Sequence, residues 1–248
     1  MLKLTYGEFD SLSDKEGFIV VYPDGVGKRW NDARIANEAR DRAHEENIDD
    51  VGFISALIDS MVTDREADPR RVYVTGMSNG AIMSFRLACE LSNKIAAIAA
   101  VDGGIPVHGV EHCSAARHVS VLMINGTEDP LVHWGGGEVT GPFGFKKLGK
   151  LLSPLETVQF WVKRDHCGLS PDSTEEPDID PGDGTRVLKT DYAGGLNGTE
   201  VILYIIEGGG HTWPGGLQYL PKWIVGRTCR DIDACQIIWD FFRNRKRE

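Results

Sequence analysis

Long apolar runs are missing from this chain. Its 248 residues are 41% hydrophobic, yet no stretch approaches the roughly 20 consecutive apolar residues of a membrane helix. Positive charge is also short: 27 Lys and Arg face 37 Asp and Glu, a formal net charge of −10. Phosphate binding needs a basic face, so this balance argues against nucleic acid and anionic membranes as partners. A neutral substrate meets no such barrier. The first residues, Met1 to Glu8, contain no apolar segment of the kind a signal peptide needs. Cysteine is scarce, at five: Cys89, Cys113, Cys167, Cys229 and Cys235. Their spacings match no zinc site, and an odd count leaves at least one unpaired. Cys229 and Cys235 are close enough in sequence for a local disulfide; free thiols filling core space are the alternative.

What is present is an alternation of short apolar runs with helix-period segments, the pattern of a mostly parallel sheet flanked by helices. Phe18 to Tyr22 reads as a strand stopped by Pro23-Asp24-Gly25. From Asp50 to Val62 the apolar residues Val51, Ile54, Leu57, Ile58 and Met61 share one helical face. Arg71 to Thr75 is a strand, Asn79 to Leu91 a helix, and Ile95 to Val101 a uniformly apolar strand, as one buried on both faces should be. Val119 to Ile124 is another strand, and Leu155 to Arg164 a helix entered through Ser153-Pro154. Arg186 to Tyr192 and Glu200 to Ile206 form two strands around Asn197-Gly198, and the last helix spans Asp231 to Phe242. Neither repeat nor linker interrupts residues 1–248, so one domain is expected.

The acidic stretch Pro171 to Gly184 invites a calcium-loop reading through Asp178, Asp180 and Asp183. Counted from Asp178, however, the twelfth position is Lys189 rather than Glu, so a solvated surface loop is expected.

Gly76-Met77-Ser78-Asn79-Gly80 lies between a predicted strand and a predicted helix. A strand-to-helix turn there lifts a serine above the sheet edge, and the flanking glycines let backbone approach closely. Ser78 is the candidate nucleophile, and the backbone N–H of Asn79 a candidate oxyanion donor. Serine needs a base and a group to orient the base, in the chain order Ser, acid, His. Asp129, in Asn125-Gly126-Thr127-Glu128-Asp129-Pro130, follows the second strand after the elbow and is the preferred acid; Asp102 and Asp24 compete. Of seven histidines, His211 follows the last long strand, between Gly208-Gly209-Gly210 and Thr212-Trp213-Pro214-Gly215-Gly216, and is the candidate base. His44 falls in a charged helical stretch. His108 and His112 lack a third ligand for a metal, so no metal is expected.

Together Val21-Tyr22-Pro23-Asp24-Gly25, Arg29-Trp30-Asn31-Asp32, the elbow, the Asp129 loop and Gly210 to Gly216 resemble the esterases related to polyhydroxybutyrate depolymerases and feruloyl esterases. The resemblance runs from about Phe9 to the C-terminus. It implies an α/β-hydrolase fold, no cofactor, hydrolysis of small or polymeric carboxylic esters, and Ser78, Asp129 and His211 as triad. It also places Trp30 and Trp213 near the acyl or alcohol pocket, core aromatics being the alternative for both, and suggests export. A serine peptidase or thioesterase on the same fold, and a non-catalytic hydrolase-like domain, are the rival readings.

One departure stands out. The resembled enzymes carry, before the strand at Phe18 to Tyr22, another strand ending in His-Gly that supplies a second oxyanion donor. Leu2-Lys3-Leu4-Thr5-Tyr6 is too short for it and has no His-Gly. Either the chain is N-terminally shortened or the hole is completed differently, and in the second case the loop Tyr22 to Gly25 is the first candidate for the donor.

Overall fold

The computed structural model describes residues 5, 7–35, 41–141 and 146–247; most of the segment Leu2 to Tyr6 thus lies outside the described residues. Its helices are α1 (Glu8–Glu16), α2 (Arg42–Glu45), α3 (Asp50–Arg65), α4 (Asn79–Glu90), α5 (Pro154–Asp165), α6 (Lys222–Val225) and α7 (Ala234–Arg243). The strands are β1 (Tyr73–Met77), β2 (Ala97–Val101), β3 (Ser120–Gly126), β4 (Gly137–Thr140), β5 (Lys147–Leu151), β6 (Asp172–Glu175), β7 (Arg186–Tyr192) and β8 (Val201–Glu207).

Six strands form one sheet in the order β1-β2-β3-β8-β7-β6, with β4 and β5 as a separate antiparallel pair. The first four of the six run parallel, while β7 and β6 are antiparallel additions. Side chains alternate between two faces, as strand geometry requires. Ile98, Ala100, Val121, Met123 and Leu203 pack with α3, α4 and α5 through Ile54, Phe85 and Trp161. Ala97, Ala99, Val101, Leu122, Ile124 and Ile202 pack with α1 and α7 through Phe9, Ile238 and Phe242. Both faces of β2 and β3 are thus covered, which is why these strands are apolar throughout. This is the α/β-hydrolase arrangement the sequence pointed to.

Most predicted elements agree with the observed ones to within a few residues. Phe18 to Tyr22 is the exception: it forms no strand among the described residues. Phe18 stacks on Trp239 with ring centroids 4.1 Å apart, and Val20 packs beside it, while Ile19 and Val21 are exposed. The segment keeps the alternation of a strand but has no ladder partner, so its β-propensity is realised only as extended chain. Helix α1 and the β4–β5 pair were not anticipated. The expected hairpin of β7 and β8 is present as an antiparallel pair, joined by residues 193–200 with Asn197 at φ 58°.

Of the two readings of Cys229 and Cys235, free thiols in the core is the one observed, and the disulfide that forms involves other cysteines. Cys89 of α4 is bonded to Cys113, whereas Cys229, Cys235 and Cys167 are free and buried. Cys229 and Cys235 sit in the α7-side core as small apolar groups. In the acidic stretch, β6 forms an exposed edge, Asp178 pairs with Arg186, and Asp183 accepts from the N–H groups of Thr185 and Arg230. These carboxylates are occupied in fastening a surface loop. No helix among the described residues is long and apolar enough to cross a membrane.

Candidate active site

Strands β1, β2, β3 and β8 all end at the same edge of the sheet, and each delivers one polar side chain there: Ser78, Asp102, Asp129 and His211. Open parallel sheets place their sites at this carboxyl edge.

Ser78 joins β1 to α4 with φ 56° and ψ −120°, a backbone conformation that non-glycine residues rarely adopt. Two features hold it. Its N–H donates to the carbonyl of Val101 at 2.9 Å, and its own carbonyl accepts the N–H of Ile82 at 3.0 Å. A Cβ at Gly76 would stand 2.5 Å from the carbonyl carbon of Gly80, so the turn closes only because Gly76 lacks one. The N–H of Asn79 opens α4 and belongs to the first turn, whose donors have no acceptor within the helix. It is therefore left without an intrahelical acceptor next to Ser78.

His211 Nδ1 and Asp129 Oδ2 are 2.7 Å apart, and both side chains are almost wholly buried. Asp129 Oδ1 meanwhile accepts the backbone N–H groups of Leu131 at 2.7 Å and Val132 at 2.9 Å. The carboxylate is thus oriented from its far side, and its free oxygen fixes the imidazole as the Nδ1–H tautomer, leaving Nε2 as the basic nitrogen. Burial pulls the His211 pKa down, but the charge and hydrogen bond of Asp129 outweigh it and leave it raised. Backbone contacts fasten the His211 loop: its N–H donates to Val225 O, and Tyr219 Oη donates to the His211 carbonyl at 3.0 Å. Among the described residues no hydrogen bond joins the Ser78 hydroxyl to His211; such bonds are commonly long in free enzymes and tighten with substrate.

The side chain of Asn79 does separate work. Its Oδ1 accepts the N–H of Trp30 at 2.8 Å, and its Nδ2 donates to Trp30 O and to Asp32 Oδ2. Asp32 is completely buried, paired with the Arg34 guanidinium at 2.8 Å and with His44 Nε2 at 3.1 Å. Burial alone would raise the Asp32 pKa, but Arg34 and His44 hold it low; the bond to Asp32 correspondingly raises His44. The Arg29 to Asp32 motif is therefore clamped to the residue after Ser78, a role that nothing in the sequence alone assigns to Asp32, Arg34 or His44.

The other candidates separate cleanly. Trp30 is half-buried and stacks on Phe53 at 6.5 Å, beside the elbow. Trp213 is fully buried against Phe9 in the α7-side core and offers no face to a substrate, which corrects its placement in the pocket. The chain turns inward directly after His211, and the large ring fills that space. Tyr22, in the loop named as substitute donor, bonds Asp10 through its hydroxyl, and Asp24 is exposed. His108, His112, His133 and His166 are exposed, and His118 pairs with Asp165. A cleft of about 770 Å³ lined by Phe160, Lys163, His166 and Tyr192 lies at the other end of the sheet, where Tyr192 pairs with the first residue of β8.

A strained serine elbow and a buried acid–imidazole pair at the carboxyl edge of a mostly parallel sheet define a molecule built as an α/β-hydrolase. Residues 5–134 match the family model described as "Esterase PHB depolymerase". The chain belongs to this family and is by that membership a carboxylesterase. Over 238 residues it is 30% identical to the "Putative esterase NocK" of Nocardia uniformis subsp. tsuyamanensis, covering 94% of this chain and 67% of that protein. It is 29% identical over 209 residues to feruloyl esterase B of Piromyces equi, covering 79% of this chain and 34% of that one. Feruloyl esterase D of Neurospora crassa is 26% identical over 84% of this chain, which spans 58% of its length. Among solved structures, an acetyl xylan esterase from Aspergillus awamori aligns with TM-score 0.49 at 18% identity, over 84% of this chain and 80% of that chain.

Proposed function

We propose that this chain hydrolyses carboxylic esters by acyl transfer to Ser78, with His211 as base and Asp129 as the group that orients it. The observation that carries this reading is the buried 2.7 Å contact between His211 and Asp129, at the same sheet edge that holds Ser78 at positive φ. His211 Nε2 takes the hydroxyl proton as Ser78 attacks the ester carbonyl, and the N–H of Asn79 stabilises the developing oxyanion. The imidazolium then protonates the departing alcohol. Water, deprotonated by the same nitrogen, releases the acid from the acyl-enzyme. The scheme uses no cofactor.

For the acyl group the favoured class is apolar or aromatic, small or polymeric. Trp30 and Phe53 supply a stacked aromatic surface beside the elbow, and names of relatives specify feruloyl esters. The test combines labelling and turnover. A fluorophosphonate should attach to Ser78, identified by peptide mass spectrometry. Ser78→Ala should lower kcat on a short nitrophenyl ester by about 10⁵ or more, with unchanged circular dichroism. Unchanged turnover in that variant would remove the reading, and faster cleavage of matched amides or thioesters would move the substrate class.

A further inference from the structure

Asp102 is the fourth side chain at the strand ends, and the scheme above makes no use of it. It follows β2 directly, between the strand that carries Ser78 and the strand that carries Asp129. Its backbone stands at φ 50°, and its N–H donates to Ile124 O at 2.9 Å. The side chain is 2% exposed; Oδ1 accepts the N–H of Gly126 at 3.3 Å, while Oδ2 is buried with no hydrogen-bond partner. One oxygen of Asp102, one of Asp129 and a ring nitrogen of His211 all lie within 4.8 Å of one another. An unsatisfied buried carboxyl oxygen this close to a catalytic pair is costly unless the site uses it.

From this geometry we infer that Asp102 is a second, reserve acid of the site, a positioning residue that supplies the counter-charge to the His211 imidazolium when Asp129 cannot. The assignment rests on the triad reading above. Two carboxylates this close cannot both ionise readily in a buried site, so one holds a proton. Asp129 has three close donors on its oxygens, whereas Asp102 has only the backbone N–H groups of Gly126, at 3.3 Å, and Thr212; burial and the adjacent Asp129 raise the Asp102 pKa well above the ordinary carboxyl value. Asp102 is then the neutral partner at rest. The groups facing it are Asp129, His211 and the Tyr219 phenol, whose pKa is itself raised by burial and by both carboxyls. Removing Asp129 removes the repulsion. Asp102 releases its proton to solvent, and its charge faces the imidazolium across less than 5 Å. At an effective dielectric near 20, such a charge changes the equilibrium by roughly two orders of magnitude.

The choice of variant matters. In Asp129→Asn the N–H groups of Leu131 and Val132 would hold the amide oxygen, so the NH₂ would face Nδ1 and enforce the wrong tautomer; kcat should fall about 10⁴-fold. Asp129→Ala leaves Nδ1–H free, and with Asp102 ionised the loss should stop near 10². The experiment is a double-mutant cycle of Asp102→Asn and Asp129→Ala, read as kcat and as the pH midpoint of kcat. Asp102→Asn should cost about 10² in the Asp129→Ala background and far less when Asp129 is present, where a neutral acid is replaced by its neutral isostere. Asp129→Ala exchanges a carboxylate bonded to His211 for Asp102, which makes no hydrogen bond to the ring, so the midpoint should fall from wild type to Asp129→Ala and fall again in the double variant, where neither carboxylate remains. Equal costs of Asp102→Asn in both backgrounds, or an unmoved midpoint, would overturn the assignment. Should Asp129→Ala fail to fold, Asp129→Ser, which keeps an acceptor for Leu131 and Val132, carries the same cycle. Full turnover in every Asp129 variant would instead sink the triad itself, a different outcome from equal Asp102 costs.

Discussion

Strand β1 and strands β2 and β3 end at the same rim but hold their side chains there by different physics. The inner strands are buried along their whole length, so Asp102 and Asp129 are placed by packing on both faces and by backbone donors. The strand that leads into Ser78, β1, is the first in the sheet order and is mostly half-exposed. Its elbow is braced by a polar clamp instead: Asn79 holds Trp30 and Asp32, and Asp32 holds Arg34 and His44. Apolar packing is indifferent to pH, whereas a clamp that includes a histidine is not, although its buried charges are little screened by salt. The bracing of the elbow is therefore pH-sensitive.

The sharpest way to break this contrast is at Asp32. Asp32→Ala leaves Arg34 buried without its counter-charge and Asn79 without one acceptor, a loss of about 3–5 kcal/mol by urea denaturation, with lower kcat from a loosened elbow. A loss below about 1 kcal/mol would mean that solvent reaches Arg34 and that the clamp is ornamental. The clamp also has a pH signature. The His44 pKa is raised above 6.5 by its bonds to Asp32 and Asp41, against the effect of burial. A raised histidine contributes stability that is complete below the unfolded value of 6.5 and is lost as pH rises through the folded value. His44→Gln should flatten that limb of a stability–pH curve, whereas a core variant should lower the whole curve without changing its shape.

The next effect in size concerns the far end of α4. The Cys89–Cys113 bond closes a loop of 24-residue separation, which in the chain-entropy account contributes about 3 kcal/mol. Cys89→Ser with Cys113→Ser should lower stability by about that amount while leaving kcat near wild type, because the bond lies at the end of the helix away from Ser78. Ile98→Val, on the fully buried β2, should cost about 0.5–1.5 kcal/mol at every pH, the inner-side counterpart of the His44 limb.

How much of this was legible in the sequence follows the same division. That Ser78, Asp129 and His211 share one rim could be read because each follows a strand with local turn chemistry. The apolar runs of β2 and β3 announce burial on both faces. The clamp could not be read: Asp32 and Asn79 are 47 residues apart, and a buried Asp–Arg–His network looks in sequence like scattered surface charge. His44 was seen as part of a charged helix, which α2 is, without its partner. Trp213 was misplaced because an aromatic beside a catalytic histidine reads equally well as pocket or core. Cysteine pairing cannot be deduced from spacing: proximity in sequence left Cys229 and Cys235 open between a bridge and free thiols, and the fold joins the distant Cys89 and Cys113.

The smallest effect tests the outermost layer of the comparison. Phe18 and Val20 pack into the cluster that also takes Tyr73 and Met77 of β1, while Ile19 and Val21 are 53% and 42% exposed on a segment without a ladder partner. Extended backbone with outward apolar side chains is a template for association between chains, and a lysine on such a segment is the usual defence. The far edge of the sheet already has that defence, since β6 reads Asp-Ser-Thr-Glu and is exposed throughout. Ile19→Lys should therefore change stability by less than about 0.5 kcal/mol and leave turnover on a soluble ester unaltered, as expected for an exposed site. Light scattering during concentration should show less association than in the unmodified chain. A cost above about 1 kcal/mol would show that Ile19 is covered in solution, and the nucleophile's side of the sheet would then be held by apolar contact as well as by the clamp.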